Sequence, residues 1–142
     1  SSAASDVYKR QNELYPDVIE TLKTLKNQGY QLYLATAKPH VYAVRILEHF
    51  ELLQYFTHPY GSELTGERTN KGDLIAYILE KEQLNPAECL MVGDREHDIL
   101  GARRHGIETV AVEYGYGSEQ ELNLAAPKYK IKSFKQLLDL LT

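Results

Sequence analysis

Asp94 and Asp98 stand four residues apart in the segment Gly93-Asp94-Arg95-Glu96-His97-Asp98, directly behind the apolar run Cys89 to Val92. A short apolar run closed by glycine reads as a buried strand, and Ile99, Leu100 and Ala102 behind it mark a helix. If that helix begins near Glu96, Asp94 lies at the strand end and Asp98 one turn in. Both carboxylates can then turn toward one cavity. Hard oxygen donors so placed suit Mg2+, which takes one or two carboxylates and completes its shell with water and phosphate oxygens. The same spacing also fits a helix start in which Asp94 is the cap and Asp98 is solvated in the first turn. His97 is not required by a hard cation and reads as a surface or orienting residue.

Three other segments carry residue types suited to an anionic ligand. In Ala35-Thr36-Ala37-Lys38-Pro39, a hydroxyl follows a strand and precedes a helix start. The Thr36 hydroxyl and the free backbone N–H groups there, including that of Ala37, can donate to a phosphate together, and the helix dipole favours the anion. Thr36 is also readable as a helix cap or a β-branched strand residue, and Lys38 either neutralises phosphate charge or points to solvent. Lys71, in Asn70-Lys71-Gly72-Asp73, sits at a helix start, where a cation opposes the dipole. That misplacement suggests a task such as neutralising an oxyanion, against the alternative of an ordinary exposed lysine. Tyr114-Gly115-Tyr116-Gly117 allows close approach of backbone to a ligand, although a glycine-rich turn explains it as well.

These residues need a scaffold, and the apolar spacing supplies one. Pro16 fits a first helical turn; Val18, Ile19, Leu22 and Leu25 share a face, and Gly29 is a left-handed cap. Strands are expected at Gln31–Thr36, Thr57–Tyr60, Cys89–Val92 and Thr109–Val112, with a weak edge strand at Tyr129–Ile131. Between them run helices whose inner faces are Ala43, Ile46, Leu47 and Phe50; then Leu74, Ile75, Ile78 and Leu79; then Ile99, Leu100 and Ala102, ended by Gly106. Pro39 opens the first of these, Leu52–Phe56 is an apolar connection, and a polar loop runs to Asn70. Ser133 caps a last helix with Phe134, Leu137, Leu138 and Leu141 inward. Alternating helices and strands imply an α/β fold on a parallel sheet, with ligands at the carboxyl ends of the strands. That rim is Thr36, Gly93-Asp94 and Tyr114.

The bulk properties exclude several classes. The 142 residues, 43% hydrophobic, suffice for one domain with a core. Sixteen basic residues against 20 acidic, a net charge of -4, give no basic face for nucleic acid. No apolar run approaches the roughly 18 residues that span a bilayer, and no basic-then-apolar leader is present. The single cysteine, Cys89, cannot form an internal disulfide, so a cytoplasmic setting is expected, with Cys89 an inert buried thiol. At the other end, Asp6-Val7-Tyr8-Lys9-Arg10-Gln11 is what GAT GTG TAT AAG AGA CAG encodes, which resembles a transposon end used in sequencing adapters. Residues 1–11 are therefore expected to be an adapter-derived or disordered tail, and 12–142 the folded unit.

In their order, these segments resemble the phosphoglycolate-phosphatase-like and 5′-nucleotidase-like branch of the haloacid-dehalogenase superfamily. LYLATAKP at Leu32 to Pro39 is similar to the family's second motif, Lys71 to its third-motif lysine, and MVGDREHDILGA at Met91 to Ala102 to its fourth. VEYGYG follows at the corresponding place, and ELYPDV at Glu13 to Val18 resembles the return from a cap domain. AKPHVYAVRILEHFELLQYF and YGSELTGERTNKGDLI look closest to members labelled 5′-nucleotidase-like. The resemblance implies a Rossmann-like parallel sheet and Mg2+-dependent phosphoryl transfer to an aspartate, followed by hydrolysis of the aspartyl-phosphate. The substrate would be a small phosphorylated metabolite such as phosphoglycolate or a nucleoside monophosphate. Thr36 would hydrogen-bond a phosphoryl oxygen, Ala37 and Lys38 would line the phosphate site, and Lys71 would neutralise the phosphate and orient the nucleophile. Asp94 would ligate the metal, assisted by Asp98.

The family's first motif, a strand ending in DxDGT that bears the nucleophile, has no match, because no DxD occurs in this chain. By resemblance, that strand is central, between those bearing Thr36 and Asp94, and it precedes the cap. Its loss would leave two open strand edges. The chain as given is thus expected to be inactive, to fold poorly alone and to hold Mg2+ weakly or not at all. A phosphomutase on the same core and a non-catalytic Rossmann-like binding module are the alternative readings; the oligomeric state is left open.

Overall fold

The computed structural model describes residues 17–63 and 70–141; the expectations for residues 1–11, Pro16 and most of the polar loop before Asn70 lie outside them. The first helix, α1 (Val18–Asn27), buries Val18, Thr21, Leu22 and Leu25. Ile19, expected inside, is exposed; one step beyond Val18 turns a helical side chain by about 100°, and Thr21 takes the inner position instead. Gly29 ends the segment at φ 91°, a left-handed conformation that glycine adopts without strain.

Strand β1 (Tyr33–Pro39) begins and ends later than its apolar run suggests. It pairs in parallel with β2 (His58–Ser62), Tyr33 opposite His58 and Pro39 opposite Ser62, with an irregularity between Ala35 and Pro39. Pro39 therefore closes the strand and caps α2 (His40–His49) from an extended conformation rather than opening the helix. Within α2, Ala43 and Leu47 are fully buried, while Ile46 and Phe50 pack at the margin. The connection from Leu52 to Phe56 anchors both end residues in the core.

The second half is built from α3 (Lys71–Glu82), β3 (Leu90–Gly93), α4 (Glu96–Arg103), β4 (Glu108–Val112), α5 (Glu119–Ala125), β5 (Tyr129–Ile131) and α6 (Leu137–Leu140). Strands β3, β4 and β5 form a parallel three-stranded sheet in that order. Leu100, expected inside, is exposed on α4. Helix α5 has no counterpart in the apolar pattern, since it buries only Leu122 and Ala125 and leaves Leu124 76% exposed. Its signature is polar instead: Ser118 caps it by accepting from the Glu121 N–H at 3.0 Å. Cys89 sits just before β3 and is half-buried; burial raises its thiol pKa, as an inert cysteine requires.

The five strands thus form two parallel sheets, β1-β2 and β3-β4-β5. Among the described residues no strand pairs with the remaining edge of β1 or of β3. A cavity of about 530 Å3 lies between those strands, lined by Leu32 and Tyr33 on one side and Leu90 to Val92 on the other. Its lining includes Tyr33, Leu90 and Glu108, the first residues of β1, β3 and β4, and does not include Asp94. Beside it, one core cluster spans both sheets, joining Leu34 to Val92, Val110 and Val112 under α1 and α2. No helix among the described residues is long and apolar enough to cross a membrane.

Candidate functional site

Lys71 is the residue that ties the two sheets together. Its Nζ donates to the Ala35 carbonyl of β1 at 2.9 Å and lies 2.8 Å from Asp98 Oδ1 on α4. The side chain is 3% exposed and that of Asp98 is 1% exposed, so the reading of Lys71 as an exposed lysine does not hold. Its place at the start of α3 follows from local packing. Asn70 caps the helix by accepting from the Asp73 N–H at 3.2 Å. Gly101 of α4 meets the α3 backbone so closely that a Cβ there would lie 3.0 Å from the Gly72 nitrogen and 3.3 Å from Lys71 Cγ. The helix start thus faces inward, and the cation that opposes the dipole finds a carboxylate instead.

Asp98 turns back over the loop. Its Oδ2 accepts from the backbone N–H groups of Asp94 at 3.1 Å and Arg95 at 3.2 Å. This corrects the alternative in which Asp94 is the cap and Asp98 is solvated: Asp98 does the capping, and it is buried. Gly93 is required by this turn, since a Cβ there would stand 2.6 Å from Asp98 Oδ2. Asp94, also buried, accepts from the Tyr116 N–H through Oδ2 at 2.9 Å. The glycine-rich segment therefore folds over Asp94, and a Cβ on Gly115 would fall 2.7 Å from the same oxygen. Gly115→Ala is expected to destabilise the protein by about 1–3 kcal/mol, the usual overpacking cost. Urea denaturation measures the loss, and faster hydrogen exchange at the Tyr116 amide locates it.

Thr36 is the last buried residue along β1. Its Oγ1 accepts from the Lys38 N–H at 3.2 Å, which leaves the hydroxyl hydrogen to donate elsewhere. Ser62 of β2 braces the strand end by donating to the Ala37 carbonyl at 2.7 Å. Gly61 makes that approach possible, because a Cβ there would lie 2.7 Å from the backbone of His40. Ala37 and Lys38 are exposed in the irregular last part of β1. Lys71, Asp94 and Asp98 are thus brought together by direct contacts, Thr36 adjoins the carbonyl that Lys71 holds, and His97 is exposed beside them.

The donor set fits part of an Mg2+ shell. Asp98 Oδ1 is buried and makes no hydrogen bond; Lys71 holds it by charge at 2.8 Å, off the hydrogen-bonding direction. It is a hard, unsatisfied oxygen of the kind such a cation takes. Asp94 supplies a second buried carboxylate, one that already accepts from Tyr116, and no cluster of three metal-binding side chains exists among the described residues. The residues present would hold one side of the ion and leave the remainder to water, phosphate or a further carboxylate.

Two contributors are not in the sequence motifs. Glu121 of α5 accepts through Oε2 from Arg95 Nε and from the Glu96 N–H, each at 2.8 Å. The Arg95 hydrogen bond, then the Glu96 N–H, holds its carboxyl below the usual carboxylate pKa. The S-x-x-E pattern at Ser118 to Glu121 signals the helix start but not this reach across 26 positions of chain. Gly61 was likewise unmarked, because only the folded chain shows what a Cβ would strike.

Comparison with known proteins bears on the same elements. Residues 2–112 match the family described as haloacid dehalogenase-like hydrolase. The chain is 42% identical over 132 residues to a 5′-nucleotidase from Pseudomonas aeruginosa, covering 91% of this chain and 60% of that protein. It is 34% identical over 128 residues to a phosphoglycolate phosphatase from Vibrio vulnificus, covering 90% and 56%. The crystal structure of a protein from Clostridium difficile superposes with a TM-score of 0.86 at 37% identity, covering 92% of this chain and 61% of that one. The chain thus spans 56 to 60% of the length of these curated relatives.

Proposed function

The chain belongs to the haloacid dehalogenase-like hydrolase family, and on that premise we propose that it forms the phosphate- and Mg2+-binding part of a phosphatase. In its full-length form the protein would release phosphate from a small phosphorylated metabolite, such as phosphoglycolate or a nucleoside monophosphate. The observation that carries this reading is Lys71, a buried cation held between the Ala35 carbonyl and Asp98. A lysine so placed presents positive charge at the carboxyl ends of both sheets, where a phosphoryl group would sit. The names of the relatives, a 5′-nucleotidase and a phosphoglycolate phosphatase, support the substrate class.

The geometry supports a role for each of these residues. Thr36 donates its hydroxyl hydrogen to a phosphoryl oxygen, with the exposed Ala37 and Lys38 beside it. Lys71 offsets phosphate charge and keeps Asp98 oriented. Asp94, fixed by Tyr116 and the glycine loop, presents a carboxylate to the ion, with Asp98 behind it. The Mg2+ these residues would hold supplies electrostatic stabilisation of the phosphoryl oxygens. A lone cysteine fits a reducing cytoplasm.

The test is phosphate release by the full-length protein from phosphoglycolate and from nucleoside 5′-monophosphates, with Mg2+ and with chelator. Asp94→Asn is expected to lower Mg2+-dependent turnover by about 100-fold or more, the upper end of what disturbing a metal site costs. Turnover that survives both chelation and Asp94→Asn would overturn the proposal.

A further inference from the structure

Glu121, which lies outside the sequence motifs, is an ionised side chain that reaches the acidic loop. Its Oε2 takes two donors at 2.8 Å, the Arg95 Nε and the Glu96 N–H. Arg95 follows Asp94 directly, and Glu96 is the first residue of α4. From the same connection, Tyr116 donates its N–H to Asp94 Oδ2. The loop from Asp94 to Asp98 is therefore held from two sides, by Lys71 of α3 and by Glu121 of α5.

The surroundings separate positioning from simple stabilisation. The Arg95 side chain is 43% exposed and Glu96 is exposed. Water can replace Glu121 at both donors, so losing its carboxylate costs the fold little. What water cannot replace is the fixed placement of the turn that carries Asp94. We propose that Glu121 is a positioning residue that sets the site's affinity for a divalent cation by holding this turn, an inference that rests on the Mg2+ reading above.

Glu121→Gln tests it in the full-length protein. Glutamine keeps an acceptor for the Glu96 N–H and removes the charge that holds Arg95. Cation affinity is read without turnover, by Mn2+ titration followed by electron paramagnetic resonance, and separately as the Mg2+ concentration that half-saturates turnover. The Mn2+ dissociation constant and the half-saturating Mg2+ concentration are both expected to rise by about 10-fold, the lower end for partners that orient metal ligands. KM for the phosphate ester at saturating Mg2+ and the melting temperature are expected to stay unchanged. If Glu121→Gln does not fold, Arg95→Gln breaks the same contact from the other side. Unchanged cation affinity would overturn the inference, as would affinity and melting temperature falling together. A parent protein that binds no Mn2+ would instead remove the cation reading itself, and this inference with it.

Discussion

Lys71→Met is expected to destabilise the full-length protein by about 3–5 kcal/mol, because it removes one partner of a buried pair and strands the other. Methionine matches the aliphatic stem of lysine, so little volume is lost. What is lost is the only cation within 2.8 Å of Asp98 Oδ1 among the described residues, an oxygen that makes no hydrogen bond. Distance does not set this magnitude. Lys128 and Glu108 also meet at 2.8 Å, but both are about half exposed, and water and salt screen such a pair. Lys128→Met should leave the melting temperature unchanged. Adding Asp98→Asn to Lys71→Met should recover part of the loss, since asparagine removes the stranded charge and still accepts from the Asp94 and Arg95 N–H groups. Thermal or urea denaturation of the parent, Lys71→Met, Asp98→Asn and the double variant closes the cycle. Loss of less than about 1 kcal/mol from Lys71→Met, the scale of an exposed pair, would mean that this pair does not hold the two sheets together.

The same residues show what a sequence can carry. Lys71 was legible as a charge in the wrong place, and the acidic loop as carboxylates at a strand end, because both signals lie within one turn of chain. The fold class was legible for the same reason: strand-length apolar runs alternating with helical spacing leave few architectures. Leu100 was misplaced because α4 has only eight residues. In so short a helix, adjacent apolar side chains do not define one face. The role of Asp98 was hidden because i to i+4 spacing is compatible with facing a ligand, facing solvent or folding back on the preceding turn. Its burial against Lys71 decides among these, and burial is a property of α3 and α4 together. Glu121 and the glycines at 61 and 115 act through contacts between segments distant in sequence, which periodicity does not encode.

The 142-residue chain by itself is expected to release no phosphate from p-nitrophenyl phosphate above the buffer rate, with or without Mg2+. The carboxylates near the candidate phosphate site are already committed. Asp98 accepts from two backbone donors and faces Lys71, while Asp94 is held by Tyr116 and crowded by Gly115. Neither is free to attack phosphorus, and the sequence holds no DxD from which another nucleophile could come. The edges of β1 and β3 reinforce the expectation. Among the described residues no strand joins β1 to β3, so the two sheets share a core without a common ladder. The cavity of about 530 Å3 beside them removes packing contacts on both sides. Among the described residues the Lys71 bridge then holds the rim, so a broad, weakly cooperative melt should accompany the missing activity. Mg2+-dependent turnover abolished by Asp94→Asn would show that the committed carboxylates do exchange partners during reaction. A sharp melt would show that Lys71 and the shared core between Leu34 and Val92 are enough to join the sheets.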